Sequence, residues 1–226
     1  MTYDLFIGDR MFSSWSLRGW LMFEKFSLPY RTNIVGLYSG TFQQDLAPLA
    51  PAHLVPVVRT PSGDVIGESM AIAETLAEQN PAAGMWPKHP SLRARARWLC
   101  AEMSAGFHAL RSECPMQLAH INRGFKASDG VKADIARIDK IWRSARSISG
   151  SDGWLLGEYC LADVFYAPVA ARIMGYDLDV SDHLRAYSLR TINDAAFKSW
   201  RAEGMKISYD PFPYPKHPPI EPWPVE

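Results

Sequence analysis

Ser13-Ser14-Trp15-Ser16-Leu17-Arg18 opens a helical run. Pro51-Ala52-His53-Leu54-Val55-Pro56-Val57-Val58 leads into a strand. Glu68-Ser69 then stands at the head of the apolar run Met70-Ala71-Ile72-Ala73-Glu74-Thr75-Leu76-Ala77. Around these three signals the pattern is regular. Tyr3-Asp4-Leu5-Phe6-Ile7 reads as a strand closed by Gly8-Asp9-Arg10. Leu17, Trp20, Leu21 and Phe23 recur at helical spacing within Ser14–Phe26, and Leu28-Pro29 ends that helix. Tyr30 to Val35 is a second strand, and Phe42 to Leu46 a short helix. Val55–Arg59 and Val65-Ile66 flank the turn Pro61-Ser62-Gly63-Asp64, and helical spacing returns from Ser69 to Gln79. The order is βαβ, a small helix, then ββα.

Residues 80–90 carry three prolines and a glycine and read as a linker. Beyond them only helices are predicted: a long stretch from Ser91 to about Arg123 broken near Pro115, then Val131–Ser147, Leu161–Met174, Ser181–Thr191 and Asp194–Glu203. The chain therefore divides into an α/β unit at 1–79, the linker at 80–90, an all-helical unit at 91–205 and a tail at 206–226. Seven of the seventeen prolines lie between Pro211 and Pro224, too many for a helix. Tyr209, Phe212, Tyr214 and Trp223 predict that this extended tail packs on the body.

Composition excludes several classes. Over 226 residues, 24 basic side chains balance 24 acidic ones, whereas a dedicated nucleic-acid binder carries a basic excess. No apolar run reaches the roughly 18 residues of a membrane span, and Asp4, Asp9 and Arg10 interrupt any leader-like segment. Cys100, Cys114 and Cys160 match no zinc or CxxC spacing, so no metal is expected and a reducing, cytoplasmic setting is.

Ser13 and Ser14 sit where a loop feeds a helix. Serine there caps the helix, and the same free N–H groups attract an anion. If the anion is a thiolate, a hydroxyl donating to sulfur lowers the thiol pKa from its free value of about 8.5. Three features together resemble the glutathione-binding half of the cytosolic glutathione S-transferases: this serine run, a Val-Pro ahead of the third strand, and an acid-Ser pair opening the next helix. The serine-type zeta class carries Ser-Ser-Cys-Ser-Trp-Arg where this chain has Ser-Ser-Trp-Ser-Leu-Arg. The resemblance implies a thioredoxin-like domain at 1–79 followed by an α-helical domain, with glutathione as co-substrate. It makes Ser13 the activating hydroxyl, five positions before Arg18, with Ser14 the adjacent candidate.

By the same resemblance Val55 and the cis-proline Pro56 pair with the cysteine backbone of glutathione. His53 approaches its glycine carboxylate, and Glu68 and Ser69 hold its γ-glutamyl end. Gly157-Glu158-Tyr159-Cys160-Leu161-Ala162-Asp163 is similar to the family's capping motif, with Cys160 in place of Ser or Thr, so Asp163 should bear more of the cap. Ser104, Phe107, His108 and Arg111, on the first helix of the second unit, are candidates to line the pocket for an electrophilic small molecule. The implied activity is thiolate attack on that electrophile by a homodimer. Glutathione-dependent isomerisation of the maleylacetoacetate type and peroxide reduction use the same thiolate. For the isomerase, Gly175 stands about where an arginine for the acidic substrate is sought, with Arg172 one turn earlier. A rival of another class is a non-catalytic interaction module, for which intact Ser13, Glu68 and Ser69 have no use.

Overall fold

Tyr3, Leu5 and Ile7 alternate with more exposed neighbours, the period-two pattern of a strand with one face on a core. The computed structural model describes residues 2–209 and 211–223. Strand β1 (Tyr3–Ile7) pairs in parallel with β2 (Tyr30–Ile34) and antiparallel with β3 (Val57–Arg59), which pairs antiparallel with β4 (Val65–Ile66). The sheet order β2-β1-β3-β4, with helices α1 (Ser14–Glu24), α2 (Phe42–Leu46) and α3 (Ser69–Gln79), is the thioredoxin-like arrangement.

Helix α1 is buried from Ser16 through Phe23, because the sheet lies on one side and a helix of the second unit on the other. Gly19 allows the closest approach. A Cβ there would lie 2.6 Å from the Pro56 Cβ, so glycine lets α1 rest directly on the cis Val55-Pro56 bond.

The helical half comprises α4 (Pro90–Ala105), α5 (His108–Glu113), α6 (Asp129–Ser149), α7 (Leu161–Gly175), α8 (Asp182–Ile192) and α9 (Ala195–Gly204). Every residue of α7 is buried, as expected for a helix apolar on all sides at the centre of a bundle. Asp163 sits in its first turn as the sequence predicts. Its carboxylate accepts from the Cys160 and Leu155 N–H groups, each at 3.0 Å, and from the Tyr187 hydroxyl at 2.9 Å.

Two expectations are corrected. The stretch Ser91–Arg123 is not one helix broken near Pro115. It breaks first at Gly106-Phe107, where Phe107 adopts a left-handed backbone (φ 57°), and α5 ends before Pro115. The helical half also contains a strand. β5 (His120–Asn122) pairs antiparallel with β6 (Ile220–Pro222) from the tail, His120 facing Pro222 and Asn122 facing Ile220.

The tail packs on the body as predicted. Phe12, 4% exposed, is ringed by Tyr38, Tyr209, Phe212 and Tyr214 with centroids 5.2–5.6 Å away. Trp223 is buried, 3.2 Å from where a Cβ on Gly175 would stand, with the Arg201 guanidinium over its ring. Between these anchors the chain crosses Gly124, whose N–H donates to the His217 carbonyl at 3.1 Å. A Cβ on Gly124 would lie 1.7 Å from the Pro218 carbonyl oxygen. Gly124→Ala should therefore unseat the crossing at a cost of about 1–3 kcal/mol. Limited proteolysis would report it as new cleavage within residues 206–223; an unchanged pattern would show that the tail tolerates the methyl group.

Candidate active site

The N-terminus of α1 opens into a cavity of about 580 Å³. Ser13 is the N-cap. Its Oγ accepts from the Ser16 N–H at 3.2 Å and donates to the Ser16 Oγ at 2.8 Å, so cap geometry engages the hydroxyl in both senses. Ser14, one residue on, lines the same cavity and is only half-buried. Its Oγ accepts from the Arg172 Nη2 at 3.4 Å, and among the described residues its own proton has no acceptor. The sequence run thus places two hydroxyls side by side, one tied into the helix and one facing open space.

From the helical half Arg111 and Arg172 line the cavity along with His108, and among the described residues no carboxylate does. Arg172 is 4% exposed. Its Nε donates to the Cys114 carbonyl at 2.9 Å and its Nη1 to the Pro168 carbonyl at 3.2 Å. Burial, aided by the nearby Arg111 charge, pushes its pKa down to about 10, which leaves it cationic at neutral pH. The Arg111 Nη1 donates to the carbonyls of Ser104 and Gly106, so backbone oxygens absorb part of each charge.

Trp15 links the walls. Its ring lies 4.1 Å from the Arg18 guanidinium carbon and 5.2 Å from that of Arg111. Arg18 is itself buried, its Nε donating to the Phe165 carbonyl at 2.8 Å. Burial, together with Arg172 and Arg111, lowers its pKa well below the usual arginine value.

The rest of the lining is largely apolar and aromatic and includes Phe12, Leu37, Phe42, Leu54 and Val55. Tyr38 and Tyr214 close it with a hydroxyl–hydroxyl hydrogen bond of 2.8 Å.

A smaller depression of about 260 Å³ adjoins the cavity through Leu54 and holds both His53 and Glu68. Glu68 precedes α3 in a left-handed backbone conformation (φ 62°), a local strain of about 1–3 kcal/mol of the kind found at ligand clamps. Ser69 begins α3 and is buried beside it, 4% exposed, lining neither space. Pro56 is buried behind Val55, under α1.

Of the four residues predicted for an electrophile pocket, His108 and Arg111 line the cavity and two do not. The Ser104 hydroxyl turns back to its own helix and donates to the Cys100 carbonyl at 2.9 Å. Phe107 is 5% exposed and packs edge-on against Tyr166, because its left-handed backbone folds the ring into the core. The break at Gly106 is what separates these two from His108 and Arg111. Trp15 and Tyr38 were missed as lining residues. Nothing in their immediate sequence marks them, although position 15 is singular in carrying a large aromatic between two serines.

A sequence profile for the glutathione S-transferase N-terminal domain matches residues 12–79. A probable maleylacetoacetate isomerase of Caenorhabditis elegans is 34% identical over 172 residues, covering 75% of this chain and 78% of that protein. The chain belongs to the glutathione S-transferase family. The maleylacetoacetate isomerase of Rattus norvegicus is 26% identical over 63% of this chain, but the match spans only 64% of that family member. Among solved structures, a Burkholderia glutathione transferase homologue with bound glutathione aligns at a TM-score of 0.65 with 22% identity. The match covers 92% of this chain and 100% of that one. The Omega 2S glutathione transferase of Trametes versicolor aligns at 0.67 with 19% identity, covering 91% and 95%. At such identities the structures show the shared fold. Among the described residues no helix is long and apolar enough to cross a membrane.

Proposed function

We propose that this family member binds glutathione, holds its sulfur as a thiolate at the N-terminus of α1, and delivers it to an electrophilic small molecule. The observation that carries this reading is the Ser14 hydroxyl. Among the described residues its proton has no acceptor; it lies beside the Arg172 guanidinium and faces a cavity lined by two guanidinium groups and, among the described residues, by no carboxylate. An anion placed there meets a helix terminus, a hydroxyl donor and two guanidinium groups, all of which favour thiolate over thiol. Ser14 then donates to sulfur while Ser13 caps the helix that presents it. Val55 pairs with the cysteine backbone of glutathione, with Pro56 fixing its approach. Glu68 takes the γ-glutamyl ammonium beside the buried Ser69. His53, which lines the same depression as Glu68, takes the glycine carboxylate, as the resemblance implies. The reading also carries the family's homodimeric, cytoplasmic detoxification role.

The test is the thiol pKa of glutathione bound to the protein, followed by ultraviolet difference spectra across pH. A value at least one unit below the free thiol is expected, equivalent to about 1.4 kcal/mol of preference for the thiolate. Binding with no depression would overturn the reading.

A second reading is favoured by the nematode and rat relatives, whose names are those of isomerases, and by Arg172. In it the thiolate adds to a double bond of an unsaturated acid held by Arg111 and Arg172. The new single bond rotates and the thiolate leaves again. Arg172 fills the role sought near Gly175, which is packed against Trp223 and has no side chain to offer. Product accumulating with no net loss of free thiol would select this reading over conjugation.

A further inference from the structure

Trp15 stands between Ser14, which faces the cavity, and Ser16, which is fully buried. Its ring is shared by two guanidinium groups from different halves of the fold. The Arg18 guanidinium carbon lies 4.1 Å from the ring centroid and that of Arg111 lies 5.2 Å from it. We propose that Trp15 is a positioning residue whose π face holds Arg111 at the cavity as a directed arm for a carboxylate. The inference rests on the second reading above, in which Arg111 and Arg172 hold an unsaturated acid.

Three guanidinium groups gather here and repel one another. Burial is the main cause of the lowered Arg18 pKa, and the charges of Arg172 and Arg111 lower it further. Among the described residues none of the three forms an ion pair. Their hydrogen bonds run to backbone carbonyls and, from Arg172, to the Ser14 hydroxyl. Such partners satisfy N–H groups without supplying a negative charge. What opposes the repulsion is the negative face of an aromatic ring. Phe165 offers one to Arg18 at 6.0 Å, whereas Trp15 offers one to both Arg18 and Arg111, and indole is the best such face.

The ring matters most to Arg111. Arg18 is buried against the Phe165 carbonyl, and Arg172 is held through all three of its nitrogens. Arg111 is half-buried on the short helix α5. Among the described residues only its Nη1 finds a partner, in the carbonyls of Ser104 and Gly106 at 3.2 and 3.3 Å. Trp15 is the second point that fixes where this guanidinium stands, and Nε and Nη2 keep donors to spare for a carboxylate. The ring is itself on a firm base. Ser16 beside it accepts from the Gly8 N–H at 2.9 Å, and the rest of α1 through Phe23 is buried. Without the ring, the long Arg111 side chain regains its rotamers and turns away from Arg18 and Arg172 toward water. A carboxylate would then have to order it again on binding.

The test uses 4-methylbenzoate and 4-methylbenzyl alcohol, an acid and a neutral probe of similar outline. Their binding is measured by calorimetry on full-length wild type, Trp15→Leu, Trp15→Phe, Arg111→Gln and the double variant Trp15→Leu/Arg111→Gln. Trp15→Met, which also lacks an aromatic face, guards against a folding defect in Trp15→Leu. The wild type should bind the acid more tightly than the alcohol. Trp15→Leu should weaken the acid about tenfold more than the alcohol. Trp15→Phe keeps a π face and should recover most of that loss. Adding Trp15→Leu to Arg111→Gln should weaken the acid no further, since the ring acts through Arg111. A ring that only fills space would give equal losses for both probes, or losses that add fully to those of Arg111→Gln. Either result would overturn the proposal and leave the second reading standing. A wild type that binds the acid no more tightly than the alcohol would remove that reading and this proposal together.

Discussion

Ser14→Ala should return the thiol of bound glutathione most of the way to its free pKa and lower turnover about tenfold at neutral pH, because each unit of pKa removes up to tenfold of the ionised fraction. The neighbouring substitution should behave differently. The Ser13 hydroxyl is committed to Ser16 through both its lone pair and its proton, so Ser13→Ala should cost about 1 kcal/mol of stability, the usual value of a lost cap. It should move the thiol pKa by much less. Spectral titration of the two variants side by side separates the roles. If Ser13→Ala raises the thiol pKa and Ser14→Ala does not, the activating hydroxyl is the one the family motif names, and the Ser13–Ser16 bond must open when sulfur arrives.

The largest effect on stability is expected at Asp163, far from any ligand. Its carboxylate is 1% exposed and satisfies three donors from separate parts of the fold: the loop at Leu155, the α7 cap at Cys160 and the Tyr187 side chain of α8. Burial raises its pKa while the three donors pull the other way, so the site depends on all three contacts at once. Asp163→Ala strands two N–H groups and one hydroxyl in the core at an expected cost of about 3–5 kcal/mol. For a chain of this size that lowers Tm by roughly 6–20 °C. Asp163→Asn keeps an acceptor oxygen and should lose about half as much. A shift below about 2 °C in Asp163→Ala would mean that water or a rearranged loop replaces the carboxylate.

Periodic elements were legible in the sequence and non-local ones were not. α3 falls on Ser69–Gln79 as its spacing predicts, and β1 and α2 also match, since each is a local pattern ended by Gly, Pro or a polar turn. β5 and β6 left no such trace. Each has three residues, one contains Pro222, and about a hundred residues separate them, so only tertiary contact makes either a strand. The site divides the same way. Ser13, Ser14, Val55 and Glu68 lie in motifs whose order is visible, and the fold brings them to two adjoining spaces. Ser104 and Phe107 failed as lining residues because helical spacing was carried across Gly106, where the backbone turns. Arg172 was visible as a charge inside an apolar helix. That its guanidinium reaches Ser14 depends on how α7 packs against α1, which no local pattern encodes.

The tail that completes the cavity wall has a bearing on when the protein becomes competent. Apart from Trp223 and the β5–β6 pair, both the α/β half and the helical bundle are built from elements that end by Gly204, so a nascent chain that has emerged that far can already hold most of its two cores. The wall of the cavity is another matter. Phe12 and Tyr38 wait for Tyr209, Phe212 and Tyr214, partners made almost two hundred residues after Phe12, and long-range closures of this kind form late. Assembly of this site is therefore expected to be the final act of folding, with the body finished first and its mouth shaped afterwards.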